Sequence, residues 1–119
     1  MSVSKSTQYG NINISMEAIA MLAGGVVTEC YGVVGMASQK VFQDGIAEIL
    51  KKENFSKGVI VTEKEGKLDL DLYIIVSHGI KISEVVHEVQ KKVKYVLEKS
   101  LELEFDNINI FVQGVKMMK

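Results

Sequence analysis

The chain contains no arginine: all 14 basic residues among its 119 are lysines. That absence removes the planar, two-pronged donor on which guanine readout and phosphate clamping rely, and leaves only point-charge contacts. Tryptophan is absent too, and the four Phe and four Tyr residues are scattered, not arrayed as a base-stacking platform. Cys30 is the only cysteine, so this chain alone can form neither an internal disulfide nor a cysteine-based zinc site. Its apolar helical setting suits a small buried hydrophobe. No apolar run approaches the ~20 residues needed to span a bilayer, and Met1–Lys5 lacks the apolar stretch of a signal peptide. Neither a Walker A loop nor a dinucleotide fingerprint occurs. These absences set the expectation of a cytoplasmic protein without direct membrane insertion, reaching a membrane only through a partner.

What is present is an ordinary globular composition. Apolar residues make up 47% and charged residues 24%, with a formal net charge of −1. The length suits one domain, and the near-neutral balance exerts no strong pull on nucleic acid or anionic lipid. Met1–Thr7 is polar and patternless, which predicts a flexible N-terminus over residues 1–8 and a single domain over 9–116.

Asn11–Ile14 alternates as a short strand. Ser15 is placed to cap a helix from Met16 to Cys30, whose apolar stripe is Ile19, Leu22, Ala23, Val26 and Val27. Gly24-Gly25 inside it implies close approach of a neighbouring segment. Gly32 is suited to a left-handed helix stop, and Val33–Ala37 reads as a strand. The spacing of Ile46, Ile49 and Leu50 predicts a short helix near Asp44–Lys52. Lys57–Glu63 and Leu68–Val76 are strands joined at Glu65-Gly66, a turn that sets Val61 opposite Leu70 and Val59 opposite Leu72. Ser83 is the expected cap of a second helix over Glu84–Ser100, with Val85, Val86, Val89, Val93, Val96 and Leu97 inward. Asn107–Val112 closes the chain as a strand. The order β-α-β-(α)-β-β-α-β predicts an α+β, two-layer domain: a mixed sheet with two long helices on one face.

Candidate chemistry is sparse. Gly32-Val33-Val34-Gly35 matches the GxxG spacing of a KH loop that clamps nucleic-acid backbone, but its middle residues are Val and the run continues apolar, so a helix stop feeding a strand is the adopted reading. Asp69 and Asp71 share a strand face about 7 Å apart, opposite Thr62 and Ile60, with no third acid implied. His78 and His87 meet only if the connecting loop folds back, and Tyr73, His78 and His87 are the one place where a small-ligand pocket is conceivable. Ser77-His78 are strand neighbours pointing to opposite faces. Lys91, Lys92 and Lys94 share their helix with Glu84, Glu88 and Glu98, a mixed solvated face. Phe42, Phe55 and Phe111 are candidates for an exposed docking patch.

The ordered set Gly10–Ser15, Gly32–Met36, Lys57-Gly58-Val59, Leu70–Val76, Gly79–Ile82, Val89–Val93 and Asn107–Val115 resembles the alkaline shock protein family, small cell-envelope stress-response proteins of Gram-positive bacteria. The resemblance runs from Tyr9 to Val115. It implies a cytoplasmic, non-enzymatic, self-associating protein, with some members held near the membrane by a separate anchor protein. It implies no catalytic, cofactor-binding or metal-ligating residues, and none is assigned. The sequence departs from the family pattern at Ser77-His78, where an aromatic commonly precedes the glycine, and at Ser100-Leu101-Glu102, where a glycine often follows the second helix. The competing expectations are a KH-like nucleic-acid module and a small-ligand-binding or enzyme-accessory protein.

Overall fold

The alternation of Leu68, Leu70, Leu72, Ile74 and Val76 with Asp69, Asp71, Tyr73 and Ile75 sorts one long strand into two faces. A computed structural model, which describes residues 2–7, 10–41, 47–50 and 57–117, builds the molecule around that strand. In chain order the elements are β1 (Ser2–Thr7), β2 (Gly10–Ser15), α1 (Met16–Thr28), β3 (Val33–Val41), β4 (Ala47–Ile49), β5 (Val59–Lys64), β6 (Lys67–Ser77), α2 (Ile82–Leu101) and β7 (Phe105–Lys116).

β6 is the central strand. β7 runs parallel along one of its edges, from Leu68 opposite Phe105 to Ser77 opposite Lys116. Both β5 and β3 pair antiparallel with β6, β5 over Lys67–Leu72 and β3 over Ile74–Val76, so they share its other edge end to end. A parallel pair needs a crossover, and α2 supplies it. The β5–β6 hairpin has the expected register, Val61 opposite Leu70 and Val59 opposite Leu72. Its turn residues Glu65 and Gly66 both have positive φ, 53° and 80°, the backbone whose twist matches that of the strands it joins.

Both helices cover the even-numbered face of β6. Leu68, Leu70, Leu72, Ile74 and Val76 join Ile19, Ala23, Val26 and Val27 of α1 and Val85, Val89, Val93 and Leu97 of α2 in one buried cluster. The four α2 positions recur every fourth residue. Full burial of each is worth roughly 1.5–3 kcal/mol, and that packing, more than propensity, sustains the helix. The mixed sheet with two helices on one face is the α+β architecture that the element order predicted.

Ser15 caps α1 as expected: the Ala18 amide donates to its Oγ at 3.0 Å. Four details differ from the sequence reading. Residues 2–7 form a strand, β1, in register with β2 from Ser2–Ser15 to Thr7–Gly10, because an adjacent β-prone partner supplies order that a short polar segment lacks alone. The expected helix near Asp44–Lys52 is replaced over Ala47–Ile49 by strand β4, paired with β3. Three apolar positions fit either period, and an available sheet edge decides between them; residues 44–46 and 51–52 lie outside the described residues. Ser83 lies inside α2, whose N-cap is Lys81 with no side-chain cap bond. Gly25 is not approached closely, since a Cβ there would meet nothing within 4 Å. Where the family glycine is missing, Glu102 itself takes the left-handed conformation, φ 54° and ψ 34°, at a cost of about 1–2 kcal/mol.

Candidate interaction surfaces

The sheet face opposite the helices carries the odd-numbered side chains of β6. Tyr73 stacks on Phe111 of β7, with ring centroids 4.9 Å apart and planes inclined by 16°, an offset contact worth about 0.5–1.5 kcal/mol beyond area burial. Beside the stack lie Ala37 and Ile75, both buried, with Val34 packed against them. Phe111 remains 42% exposed. The apolar patch therefore continues from a covered floor to an open aromatic edge. Gln113 spans the same face, its amide donating to the Ser38 carbonyl at 3.4 Å.

Asp69 and Asp71 occupy the other end of this face. The parallel register sets Asn107 and Asn109 beside them. Asn107 Nδ2 donates to Asp69 Oδ1 at 3.1 Å, and Asn109 Nδ2 donates to Asp71 Oδ1 at 2.9 Å. The carboxylates are rungs of a cross-strand amide ladder. Period-two Asp-x-Asp and Asn-x-Asn were a visible signal for it, but pairing them requires knowing that β6 and β7 run parallel.

A second feature lies where α1 ends and α2 begins. A cleft of about 450 Å³ is lined among others by Glu29, Cys30, Tyr31, Ile80, Glu84 and Lys92. Cys30 is buried, and its thiol points back to the Val26 carbonyl at 3.5 Å. Burial pushes its pKa up, Lys92 opposes that rise, and Glu29 and Glu88 reinforce it. The GxxG run borders this region as a structural element. Gly32 has φ +87°, and a Cβ there would lie 2.7 Å from both Ile80 Cδ1 and Val85 Cγ2. Its carbonyl accepts from the Ser77 amide at 2.8 Å, and Val33 is already paired in β3 opposite Val76. An exposed backbone-clamping loop is not what this segment forms.

A third feature is a groove of about 410 Å³ between α2 and β7, lined by His87, Gln90, Lys91, Lys94 and residues 105–109. It includes neither His78 nor Tyr73. His78 is exposed at the turn after β6, and Tyr73 lies on the opposite sheet face, so the conceivable Tyr73–His78–His87 pocket is not assembled. The Ser77 hydroxyl donates to the His78 carbonyl at 3.5 Å, not to its ring. Among the described residues no group of three or more His, Cys, Asp or Glu converges as a metal site. Phe42 and Phe55 lie outside the described residues.

The family model that matches residues 4–117 is that of the alkaline shock protein 23 family, cell envelope-related function. The chain belongs to the alkaline shock protein family. Its relatives include YloU, an uncharacterized protein of Bacillus subtilis, 54% identical over 117 residues and 98% of each chain. Spy1614 of Streptococcus pyogenes is 42% identical over 118 residues, 99% of this chain and 98% of its own length. YqhY of Bacillus subtilis is 30% identical over 112 residues, 94% of this chain and 82% of its own. No solved structure matches. The family resemblance carried by the ordered strand and helix motifs is thereby borne out. Among the described residues no helix is long and apolar enough to cross a membrane.

Proposed function

We propose that this alkaline-shock-family chain works without catalysis, as a self-associating interaction protein of cell-envelope homeostasis or stress response. It acts in the cytoplasm and reaches the membrane through a separate anchored protein. The observation that carries the reading is the open aromatic edge of the sheet: Phe111, 42% exposed, stacked on Tyr73 over the buried pair Ala37 and Ile75. Parallel strands are ordinarily covered on both faces, and here helices cover one. A contiguous apolar patch with a polar rim, supplied by the Asp–Asn ladder, is the form of a protein-docking surface.

Three of the side chains that acid–base chemistry would draw on are engaged in other hydrogen bonds. Asp69 and Asp71 accept from asparagines, and the Ser77 hydroxyl donates to backbone. Sedimentation velocity across a concentration series tests the reading. The wild-type chain is expected to form assemblies that Phe111→Ser reverses to monomer while the far-ultraviolet circular dichroism stays unchanged. A wild-type chain that remains monomeric at the highest attainable concentration, and captures no envelope protein by crosslinking in cells, sinks it.

A further inference from the structure

We infer that the outer edge of β7 is a docking site for an extended acidic peptide, which adds to the sheet as a further strand. Among the described residues β7 pairs only with β6, so its other side is a sheet edge 12 residues long. Such an edge presents backbone donors and acceptors to any chain of compatible shape. On this molecule α2 side chains stand in for that chain. The Phe105 amide donates to Glu98 Oε2 at 3.3 Å, and Gln90 Nε2 donates to the Ile108 carbonyl at 2.8 Å. Register shifts at Asp106 and Gln113 interrupt the ladder, and between them Asn107–Val112 offers one uninterrupted stretch.

Charge selects the occupant. The groove beside this edge is walled by His87, Lys91 and Lys94 against the single acid Asp106, although the whole chain carries a formal net charge of −1. Both lysines are exposed, and neither is ion-paired among the described residues, unlike Lys81, which lies 3.9 Å from Glu84. Along the helix, four- and three-residue steps advance about 6 and 4.5 Å. Alternate residues of an added strand repeat every ~6.6 Å. The His87–Lys91 step comes close to that repeat, and the long, exposed side chains of Lys91 and Lys94 can reach acidic side chains at every second position. The intervening side chains would fall on the other sheet face, beside Asn109 and Phe111, where an apolar residue fits. The inference does not depend on self-association through the aromatic patch.

The test is fluorescence anisotropy with a fluorescein-labelled Ser-Glu-Val-Glu-Val-Glu-Ser peptide and the full chain. Saturable binding is expected, weakened by salt, weakened at least tenfold by Lys91→Glu with Lys94→Glu, and lost when alternate peptide amides are N-methylated. Amide chemical shifts are expected to move over Asn107–Val112. Equal binding of a lysine-for-glutamate peptide, undiminished binding of the N-methylated one, or no saturable binding overturns the proposal. So does a result in which the lysine substitutions change only the sedimentation of the free chain, which would make a second copy the occupant. Peptide binding by a strictly monomeric chain would uphold this inference while contradicting self-association.

Discussion

Replacing Gly32 by alanine should destabilise the fold far more than one added methyl group suggests. At φ +87° an L-residue pays the left-handed penalty, about 1–2 kcal/mol. The new Cβ would also lie 2.7 Å from Ile80 Cδ1 and from Val85 Cγ2. The isoleucine end can swing away. The valine is β-branched, stiff at χ1 and buried on α2, so the helix must shift, at a cost of about 1–3 kcal/mol. The two effects sum to about 2–5 kcal/mol against a total stability of about 5–15 kcal/mol for a domain. At about 4 °C per kcal/mol for this size, the melting temperature should fall by about 8–20 °C. Urea titration followed by circular dichroism measures the loss directly. A loss below about 1 kcal/mol, the centre of the ordinary mutational distribution, would refute the reasoning that Gly32 is fixed by both its backbone and its neighbours.

Three further outcomes follow from the same geometry. Gly25→Ala should stabilise by up to about 1 kcal/mol, since its Cβ would meet nothing within 4 Å; a destabilisation in the same titration would mean that the helix face there is closed. Glu65→Asn should stabilise the β5–β6 hairpin by a few tenths of a kcal/mol, because asparagine accepts the positive φ that Glu65 adopts at 53°, and an unchanged or lower urea midpoint contradicts it. Burial raises the Cys30 pKa, so the folded state favours the thiol. The associated stability is fully present below the ordinary thiol value of about 8.5 and declines as pH rises through the raised folded value. Unfolding free energy should therefore fall more steeply between the ordinary and the raised value in the wild type than in Cys30→Ala, and equal slopes there would contradict the assignment.

The hairpin, the Ser15 cap and the α2 stripe were legible in the sequence because each is settled locally, by a two-residue turn, one hydroxyl, or a helical repeat. Strands β1 and β4 were not, because neither segment's own pattern sets its conformation; the strand it pairs with does. The same holds for the surfaces. Tyr73, Phe111, Asp69, Asn107, Lys91 and Lys94 were all visible as residues. Only the parallel β6–β7 pairing puts Phe111 on Tyr73 and the asparagines on the aspartates. Only the packing of α2 beside β7 turns a mixed helical charge face into the wall of a groove.

The most direct test of the account replaces Phe111 with photoreactive p-benzoylphenylalanine in living cells and identifies the adducts by mass spectrometry, using exposed Glu63 of β5 as the control position. The account predicts that position 111 crosslinks to a second copy of the chain, and that position 63 does not. Adducts of equal yield at both positions, or none at position 111, would contradict it.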